Sequence, residues 1–379
     1  MTRPRVVIAG LGDSGVLTAI RLAKHADVVG ISVKPALVSG QELGLRLSRP
    51  HQWARDYWLP FDRLPRLDAV RTVHGAVSGA DLGARTLTVA CADGVSREEP
   101  YDALIISTGV SNGFWRQPTT QSAGDVAAEL TEAHSRLATA ESVIIVGGGA
   151  AAVSSAANIA RTWPAKRVAL YFPGQRPLRE HHPRVWSTVE RRLSDAGVAL
   201  HAEHRALVPE GFGCDRITAD PVHFSTGQDP ASADAVLWAI GRVRPNTDWL
   251  PAELLDEAGF VRVMPDLRVP GHSTVFAVGD VAATDPLRSS ARNRADGLLA
   301  NNVRAALTGR PLRHYRPPTR RWGSVLGPGP EGLEVFAPSG HAFRFPAWSI
   351  DRVLLPWIVR RGIYRGVRPN DPLKTARIE

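Results

Sequence analysis

Two well-separated stretches of the chain share one pattern of apolar and small residues. In each, a run of apolar residues, Arg5–Ala9 or Ser142–Val146, leads into closely spaced glycines and then into a segment with the apolar spacing of a helix. This order predicts a strand, a tight turn and a helix. Because a parallel strand–helix–strand unit must be covered on both faces of its sheet, two such openings predict two doubly wound domains.

Three further apolar runs have the length of buried strands, and each stops at or beside a glycine. They are Tyr101–Ile106, Ala235–Ile240 and Thr274–Val278. The residues from Ala69 to Val89 predict short strands, with turns at Gly75, Gly79 and Gly83. A helix is predicted over Ala295–Leu307, closed by Gly309 and Pro311.

The chain from about Leu312 onward is rich in proline and glycine and predicts a small module of its own. Strands are expected near Gly332–Phe336 and Ala342–Phe345, followed by an apolar and basic helix. We expect Pro356 to interrupt any long helix there.

Length and composition exclude several classes of protein. The chain has 379 residues, of which 44% are hydrophobic and 22% charged, as in globular proteins with more than one core. There is no run of about 20 apolar residues of the kind that crosses a bilayer. The first residues lack the apolar segment of a secretory signal, so a cytoplasmic location is expected.

The net charge of +9 comes mostly from arginines that are spread along the chain. Without a motif to accompany this charge, nucleic acid is not an expected partner. The two cysteines, Cys91 and Cys214, are far apart and are expected to be buried, inert thiols. Adjacent His181 and His182 cannot converge on one ion, so no metal site is predicted, and no grouping of residues supports hydrolysis.

The first glycine cluster, Gly10-x-Gly12-x-x-Gly15, has the spacing of a dinucleotide-binding turn. The first glycine permits the turn, the second lets a pyrophosphate approach the backbone, and the third lets helix and strand pack closely. The helix N-terminus then presents unpaired N–H groups to the phosphates. The second cluster repeats this pattern at Gly147 and Gly149, with Ala152 in the third place.

Neither copy carries the acidic residue that usually holds the adenosine ribose at the end of the second strand. In the first copy this region contains Ser32 and then Lys34. In the second copy, Arg176 and Arg179 follow the strand; they either suit a 2′-phosphate, which favours NADPH over NADH, or are solvated loop residues.

Two dinucleotide folds in one chain need two nucleotides that react with each other. Flavin receives hydride at N5 and passes electrons on, so FAD in one unit and NAD(P)H in the other make a coherent pair. Asp280, at a strand end after Gly279, is placed to hydrogen-bond the ribitol hydroxyls of a flavin.

The chain resembles the FAD-dependent pyridine nucleotide oxidoreductases over almost its whole length. The resemblance rests on the two glycine clusters and on four further motifs: Ser107-Thr108-Gly109, Leu237-Trp238-Ala239-Ile240-Gly241, Pro245-Asn246-Thr247 and Val275-Phe276-Ala277-Val278-Gly279-Asp280. Within that superfamily it is most similar to the apoptosis-inducing-factor-like branch, which includes ferroptosis-suppressor flavoproteins and is akin to type II NADH dehydrogenases. The segment from Arg310 to Pro317 favours that branch.

The resemblance implies an α/β fold of two Rossmann-like doubly wound domains, the second inserted in the first, plus the small C-terminal module. The implied FAD-binding domain comprises residues 1–112 and 243–311, the NAD(P)-binding domain 113–242, and the module 312–379. The candidate FAD-binding residues are Gly10, Gly12, Ser14, Gly15, Lys34, Val77, Thr108, Gly109, Gly279 and Asp280. The candidates for NAD(P)H are Gly147, Gly149, Ala151, Ala152, Arg176 and Gly241.

The chemistry is assigned to the flavin itself, with Arg292 and Asn293 as candidate supporting residues at the flavin edge. The paired redox cysteines of the disulfide reductases are missing, so electrons are expected to leave directly from the flavin. The resemblance implies a quinone, another small acceptor or an electron-transfer protein. A redox sensor with slow turnover and a ferredoxin-type reductase remain alternatives.

The segment 348–361 is an apolar run that contains tryptophans and is flanked by arginine. It either lies in a membrane interface, where a lipid quinone could reach the flavin, or packs into the core. The acylated second-position glycine of the branch's anchored members is not expected here, since residue 2 is threonine. The oligomeric state is not predicted.

Overall fold

The computed structural model describes residues 3–38, 43–111, 114, 118–240, 243–284, 295–317 and 323–369. Its strands are β1 (Arg5–Ala9), β2 (Asp27–Ser32), β3 (Ala36–Val38), β4 (Trp58–Pro60), β5 (Val70–Asp81), β6 (Thr86–Cys91), β7 (Ser96–Pro100), β8 (Ala103–Ile106), β9 (Val110–Ser111), β10 (Ser142–Val146), β11 (Arg167–Tyr171), β12 (Val198–His201), β13 (Ala235–Trp238), β14 (Arg244–Pro245), β15 (Val275–Ala277), β16 (Pro328–Gly329), β17 (Gly332–Phe336) and β18 (Ala342–Phe345).

The helices lie between and beyond these strands. They are α1 (Asp13–Leu22), α2 (Leu43–Ser48), α3 (Pro50–Tyr57), α4 (Ala123–Thr139), α5 (Ala150–Thr162), α6 (Pro183–Asp195), α7 (Ala295–Leu307) and α8 (Ala347–Ser349), which continues into a π-helix over Ile350–Ile363. Short 3₁₀ turns occupy Phe61–Arg63, Pro65–Leu67 and Ala252–Leu254.

The first sheet has seven strands in the order β15-β8-β1-β2-β5-β6-β7. The first five are parallel, and β6 and β7 add an antiparallel end. Both faces are buried: Ile8 of β1 packs in one core with Leu299 of α7, whereas Val7 packs in another core with Val281. Burial on both faces explains why β1 reads as a continuous apolar run.

The second sheet has four parallel strands in the order β12-β11-β10-β13. One face packs with α4 and α5 in a large core that includes Val153 and Leu130, and the other face carries a core around Trp238. The chain leaves the first sheet after β8, builds the second sheet, and returns to form β15 beside β8. The fold is therefore two Rossmann-like domains with the second inserted in the first, as predicted; the exact domain bounds stay a prediction.

The two connections between the sheets pair with each other as the antiparallel strands β9 and β14. The Asn246 side chain locks this pair, because its Nδ2 donates to the Thr108 carbonyl at 3.0 Å and its Oδ1 accepts from Ser111 Oγ at 2.6 Å. The helix α2 of the first domain also packs on α5 of the second. The two helices are so close at Gly44 that a side-chain Cβ there would lie only 2.6 Å from the Ser154 carbonyl oxygen. Several contacts thus fix one domain against the other.

We expect Asn246→Ala to destabilise the protein by about 1 kcal/mol, because it leaves the Thr108 carbonyl and the Ser111 hydroxyl without their partner in a half-buried site. Thermal unfolding of the purified protein measures this change. Ser111→Ala, which removes only one of the two bonds, should cost less, and an equal loss in both variants would contradict the assigned role of Asn246.

Two expectations about local structure are wrong. Gly75 and Gly79 are not turns but lie within one long strand, β5, which pairs with β6 and has a bulge between Val77 and Gly79, because glycines are tolerated inside a bulged strand. The predicted turn at Gly83 is confirmed, between β5 and β6. Pro356 does not end the C-terminal helix, which runs through it to Ile363 in the wide π geometry. That geometry adapts the hydrogen bonding to a residue without an N–H group.

The predicted strands β17 and β18, the helix α7 and the C-terminal helix are confirmed. The C-terminal helix is tied back to the first domain, since the Tyr364 hydroxyl donates to Asp13 Oδ1 at 2.5 Å. Among the described residues, no helix has the length and apolar character needed to cross a membrane.

Candidate functional site

A cleft of about 490 Å³ lies in the first domain at the carboxyl ends of β1, β2, β8 and β15. Open parallel sheets bind ligands at this edge. The cleft brings together nine of the ten candidate FAD-binding residues, which are Gly10, Gly12, Ser14, Lys34, Val77, Thr108, Gly109, Gly279 and Asp280.

The tenth, Gly15, lies behind the turn rather than in the cleft. A Cβ there would lie 2.0 Å from the Gly10 carbonyl oxygen, so only glycine allows α1 to pack this closely. Gly10 has φ +104°, and its Cβ would lie 2.3 Å from the Ser107 carbonyl oxygen. Ser107 Oγ in turn donates to the Gly10 carbonyl at 2.7 Å. The turn after β1 and the turn after β8 are thus held together.

Gly12 differs from these two glycines because a Cβ at this position meets no atom within 4 Å. It is the N-cap of α1, where the first N–H groups of the helix have no partner within the helix. The space in front of Gly12 is therefore open, at the position where the glycine pattern places a pyrophosphate. We call the turn from Gly10 to Gly15 and the start of α1 the first cradle, and its open space fits the pyrophosphate of FAD.

Asp280 follows β15 and lines the same cleft from the side opposite β2. Gly279 before it has φ +82°, a left-handed backbone that favours glycine, and packs on Ser14 of α1. The carboxylate is half-buried beside the start of α1. From this position the carboxylate can accept hydrogen bonds from the hydroxyl groups of a ligand whose phosphates lie at the turn from Gly10 to Gly15.

Ser32, at the end of β2, stands where an acidic residue is usual. Its Oγ accepts from the backbone N–H of Lys34 at 3.3 Å, and both residues line the cleft. Lys34 is buried. Burial is the larger cause and the positive charge of Arg46 the smaller cause that together lower the pKa of Lys34 to about 8; the negative charge of Glu129 raises this pKa, but by less. The cleft therefore contains a desolvated amine suited to an anionic ligand.

At a pH near or just above 8, we expect the Lys34 amine to take up a proton when FAD binds. The free protein holds the pKa of Lys34 near 8, below its usual 10.5, and an anionic ligand raises that pKa again, so affinity for FAD falls as the pH rises through this range. Calorimetry of FAD binding in buffers of different ionisation enthalpy measures the proton uptake. Lys34→Met should abolish the uptake, and an unchanged uptake in this variant would disprove the assignment.

Arg46 is a cleft residue that the sequence analysis missed. It is buried at the end of α2, its guanidinium lies 4.7 Å from the centre of the Trp53 ring, and it lines the cleft. No motif marks it, because it reaches the cleft only through the packing of α2. The signal that could have identified it is an arginine within an apolar helix.

The second glycine cluster forms a similar turn at the carboxyl end of β10. Gly147 has φ +144°, and its Cβ would lie 2.4 Å from the Ala239 carbonyl oxygen. Ala152, in the place of the third glycine, is fully buried, and its methyl group would lie 3.1 Å from a Cβ on Gly147. Alanine therefore still allows α5 to pack closely on the turn after β10. Gly149 is the N-cap of α5, and its Cβ would meet nothing within 4 Å. The second cradle has the same open space before its helix as the first.

The remaining candidates for the second cradle lie at its margin. Ala151 is exposed in the first turn of α5. Arg176 is half-buried in the loop after β11, with its guanidinium 3.4 Å from the His181 carbonyl oxygen and 3.5 Å from that of Arg179. Gly241, Arg292 and Asn293 lie outside the described residues.

Neither cysteine lines the first cleft. Cys91 is half-buried on β6, opposite Gly75, whereas Cys214 is buried in the core of the second domain around Trp238. No pair of thiols therefore stands beside a flavin bound there.

A profile of the pyridine nucleotide-disulphide oxidoreductases matches residues 4–305. The chain belongs to this family. It is therefore an oxidoreductase that binds FAD and NAD(P)H, and the two cradles are the sites that fit them. The family's name refers to a disulphide, but this chain lacks the paired cysteines that such chemistry uses.

Relatives and solved structures agree with this assignment. Oxidoreductase ptaL of Pestalotiopsis fici is 25% identical, over 92% of this chain and 94% of its own length. Ferroptosis suppressor protein 1 of Xenopus tropicalis is 26% identical over 83% of each chain, which supports the predicted branch. The structure of a ferredoxin reductase for the CYP199A2 system of Rhodopseudomonas palustris shares the fold, with a TM-score of 0.63, 21% identity and 88% of each chain covered.

Proposed function

We propose that the protein oxidises NADPH and passes the electrons through its flavin to a quinone or a similar small acceptor. The proposal rests on the presence of two such cradles, one on each sheet of the same chain. The β9–β14 pair and the contact of α2 with α5 fix the two domains, and with them the two cradles, against each other. When bound, flavin supplies a hydride acceptor at N5 and returns the electron pair to a second substrate. The balance is NADPH, a proton and a quinone to NADP⁺ and a quinol.

The residues of the chain contribute binding and orientation. Gly12 and the first turn of α1 take the FAD phosphates, and Asp280 takes the ribitol hydroxyls. Lys34 supplies positive charge to the same cleft. Gly149 and the start of α5 take the phosphates of the pyridine nucleotide. Positioning of two rings, rather than a side-chain acid or base, then accounts for catalysis.

Direct transfer from flavin to a small acceptor is favoured over transfer through protein thiols, because neither Cys91 nor Cys214 lines the first cleft and the two lie in different domains. The preference for NADPH rests on Arg176 and Arg179, which follow β11 where the adenosine ribose would lie.

A stopped-flow comparison under anaerobic conditions tests both parts. Flavin absorbance of the loaded protein should bleach within seconds on mixing with NADPH, more slowly with NADH, and should return on addition of a soluble quinone. Equal rates with the two nucleotides would overturn the preference for NADPH. Bleaching without reoxidation by quinone would favour a redox sensor, and reoxidation by an acidic ferredoxin alone, with a strong salt dependence, would favour a ferredoxin-type reductase.

We also propose that the C-terminal helix contacts an anionic membrane surface in which a lipid quinone dissolves. Trp348 and Trp357 are 63% and 57% exposed, and Ile358 and Val353 are exposed beside them. Arg361 lies 4.9 Å from the centre of the Trp357 ring and adds positive charge. Exposed tryptophans with flanking arginine are typical of interfacial helices.

The test of this contact is flotation with vesicles that contain phosphatidylglycerol. The protein should float with them, and Trp348→Ala/Trp357→Ala should remain in solution while its rate with a soluble quinone is unchanged. If the double variant floats as well as the parent, the segment is not the contact.

A further inference from the structure

A second cavity, of about 470 Å³, lies on the first domain away from the FAD cleft. Four segments line it. They are the end of α1 with Lys24 just after it, the turn at Pro65–Leu67 with Arg66, α7 with Arg304, and Arg365 after the C-terminal helix. The FAD cleft is at the opposite end of α1, and a helix of ten residues is about 15 Å long. The two cavities are therefore separate sites.

The charge of this second cavity is strongly positive. Lys24, Arg66, Arg304 and Arg365 all line it, and within the part of the chain that the structure describes they form no ion pair. The carboxylate of Asp68, which also lines the cavity, is paired with Arg368, and Arg21 is paired with Asp296. Four cations thus face one space without a matching negative charge from the described chain.

His25, which also lines this cavity, lies in the same positive environment. Burial lowers the pKa of His25, and the charges of Arg304, Arg3 and Lys24 lower it further. The helix dipole stabilises single cations at helix C-termini, which accounts for Lys24 after α1 and for Arg304 in the last turn of α7. It does not explain why four separate segments bring their cations to one cavity, where they repel one another.

We propose that this cavity binds a phosphate-bearing anion with more than one negative charge. Guanidinium groups bind phosphate oxygens in pairs of hydrogen bonds, and the cavity combines three of them with one ammonium group. Its volume suits a small organic or inorganic polyphosphate rather than a single ion. A free polyphosphate and the headgroup of an anionic lipid share this chemistry.

The experiment is a calorimetric titration of flavin-loaded protein with inorganic tripolyphosphate at low salt. Binding of one equivalent is expected, and Arg66→Gln/Arg304→Gln should weaken it by about tenfold or more, since charge-assisted hydrogen bonds are lost. Both side chains are exposed, so the variant should fold, which its flavin content and thermal unfolding verify. Arg97→Gln/Arg216→Gln removes the same charge from exposed positions outside the cavity and should bind tripolyphosphate normally.

Vesicles distinguish the two sources of phosphate. Loss of tripolyphosphate binding in the cavity variant assigns a free polyphosphate. If tripolyphosphate does not bind but phosphatidylglycerol vesicles do, and the cavity variant alone loses the vesicles, the ligand is a lipid headgroup. The proposal is overturned if neither binds, if the cavity variant binds tripolyphosphate or vesicles as well as the parent does, or if both double variants lose binding equally. It is also overturned if NADP⁺ displaces the tripolyphosphate, since the tripolyphosphate would then occupy the second cradle.

Discussion

Asp280→Ala protein is expected to be colourless when purified. Asp280 lines the first cleft directly after β15 and Gly279, and Gly279 packs against Ser14 of the phosphate turn. Removal of the Asp280 carboxylate takes away a charge-assisted acceptor for the ligand's hydroxyl groups. The flavin-to-protein absorbance ratio measures the effect directly.

The control for this variant is Asp248→Ala, which removes an exposed carboxylate from the rim of the same cleft. This protein should keep its flavin, which shows that lost charge alone does not empty the site. Stoichiometric flavin in Asp280→Ala would mean that the ribitol assignment is misplaced.

Gly149→Leu should keep its flavin but lose reduction by NADPH. Gly149 has an ordinary extended backbone, with φ −95° and ψ 177°, so the protein tolerates a side chain there. A Cβ meets no atom of the chain within 4 Å, and the leucine therefore projects into the space that the nucleotide phosphates need. We expect flavin reduction at limiting NADPH to slow by at least about a hundredfold, equivalent to about 2.7 kcal/mol.

Gly124→Leu is the matched control, because Gly124 is an exposed glycine in the first turn of α4, outside both cradles. It should reduce its flavin at the parent rate. Normal reduction in Gly149→Leu would show that the pyridine nucleotide does not approach the start of α5, and the assignment of the second cradle would fail.

Local patterns of residues were enough to predict both cradles. Each glycine of the first cluster has a distinct task, and the structure shows the three environments: a left-handed backbone at Gly10, open space at Gly12 and a crowded helix contact at Gly15. The limits of α7, β17 and β18 were predicted to the residue, since stop signals and alternation are also local.

The errors arose where distant parts of the chain decide the structure. Gly75 and Gly79 were predicted to be turns, but pairing of β5 with β6 keeps the strand continuous through a bulge; only the turn predicted at Gly83 is confirmed. Pro356 was predicted to interrupt the helix, but the helix continues to Ile363, because Val359, Ile363 and Tyr364 beyond the proline pack on the core of the first domain.

The sequence by itself therefore determined the two dinucleotide turns, their order along the chain and the type of chemistry, because each depends on residues within one strand–turn–helix unit. Only the tertiary structure decided that Lys34 and Arg46 share one cleft, that Asn246 joins the two connections, and that four separate cations meet in a second cavity. These features combine residues far apart in sequence, and their charge and burial exist only once the chain has packed.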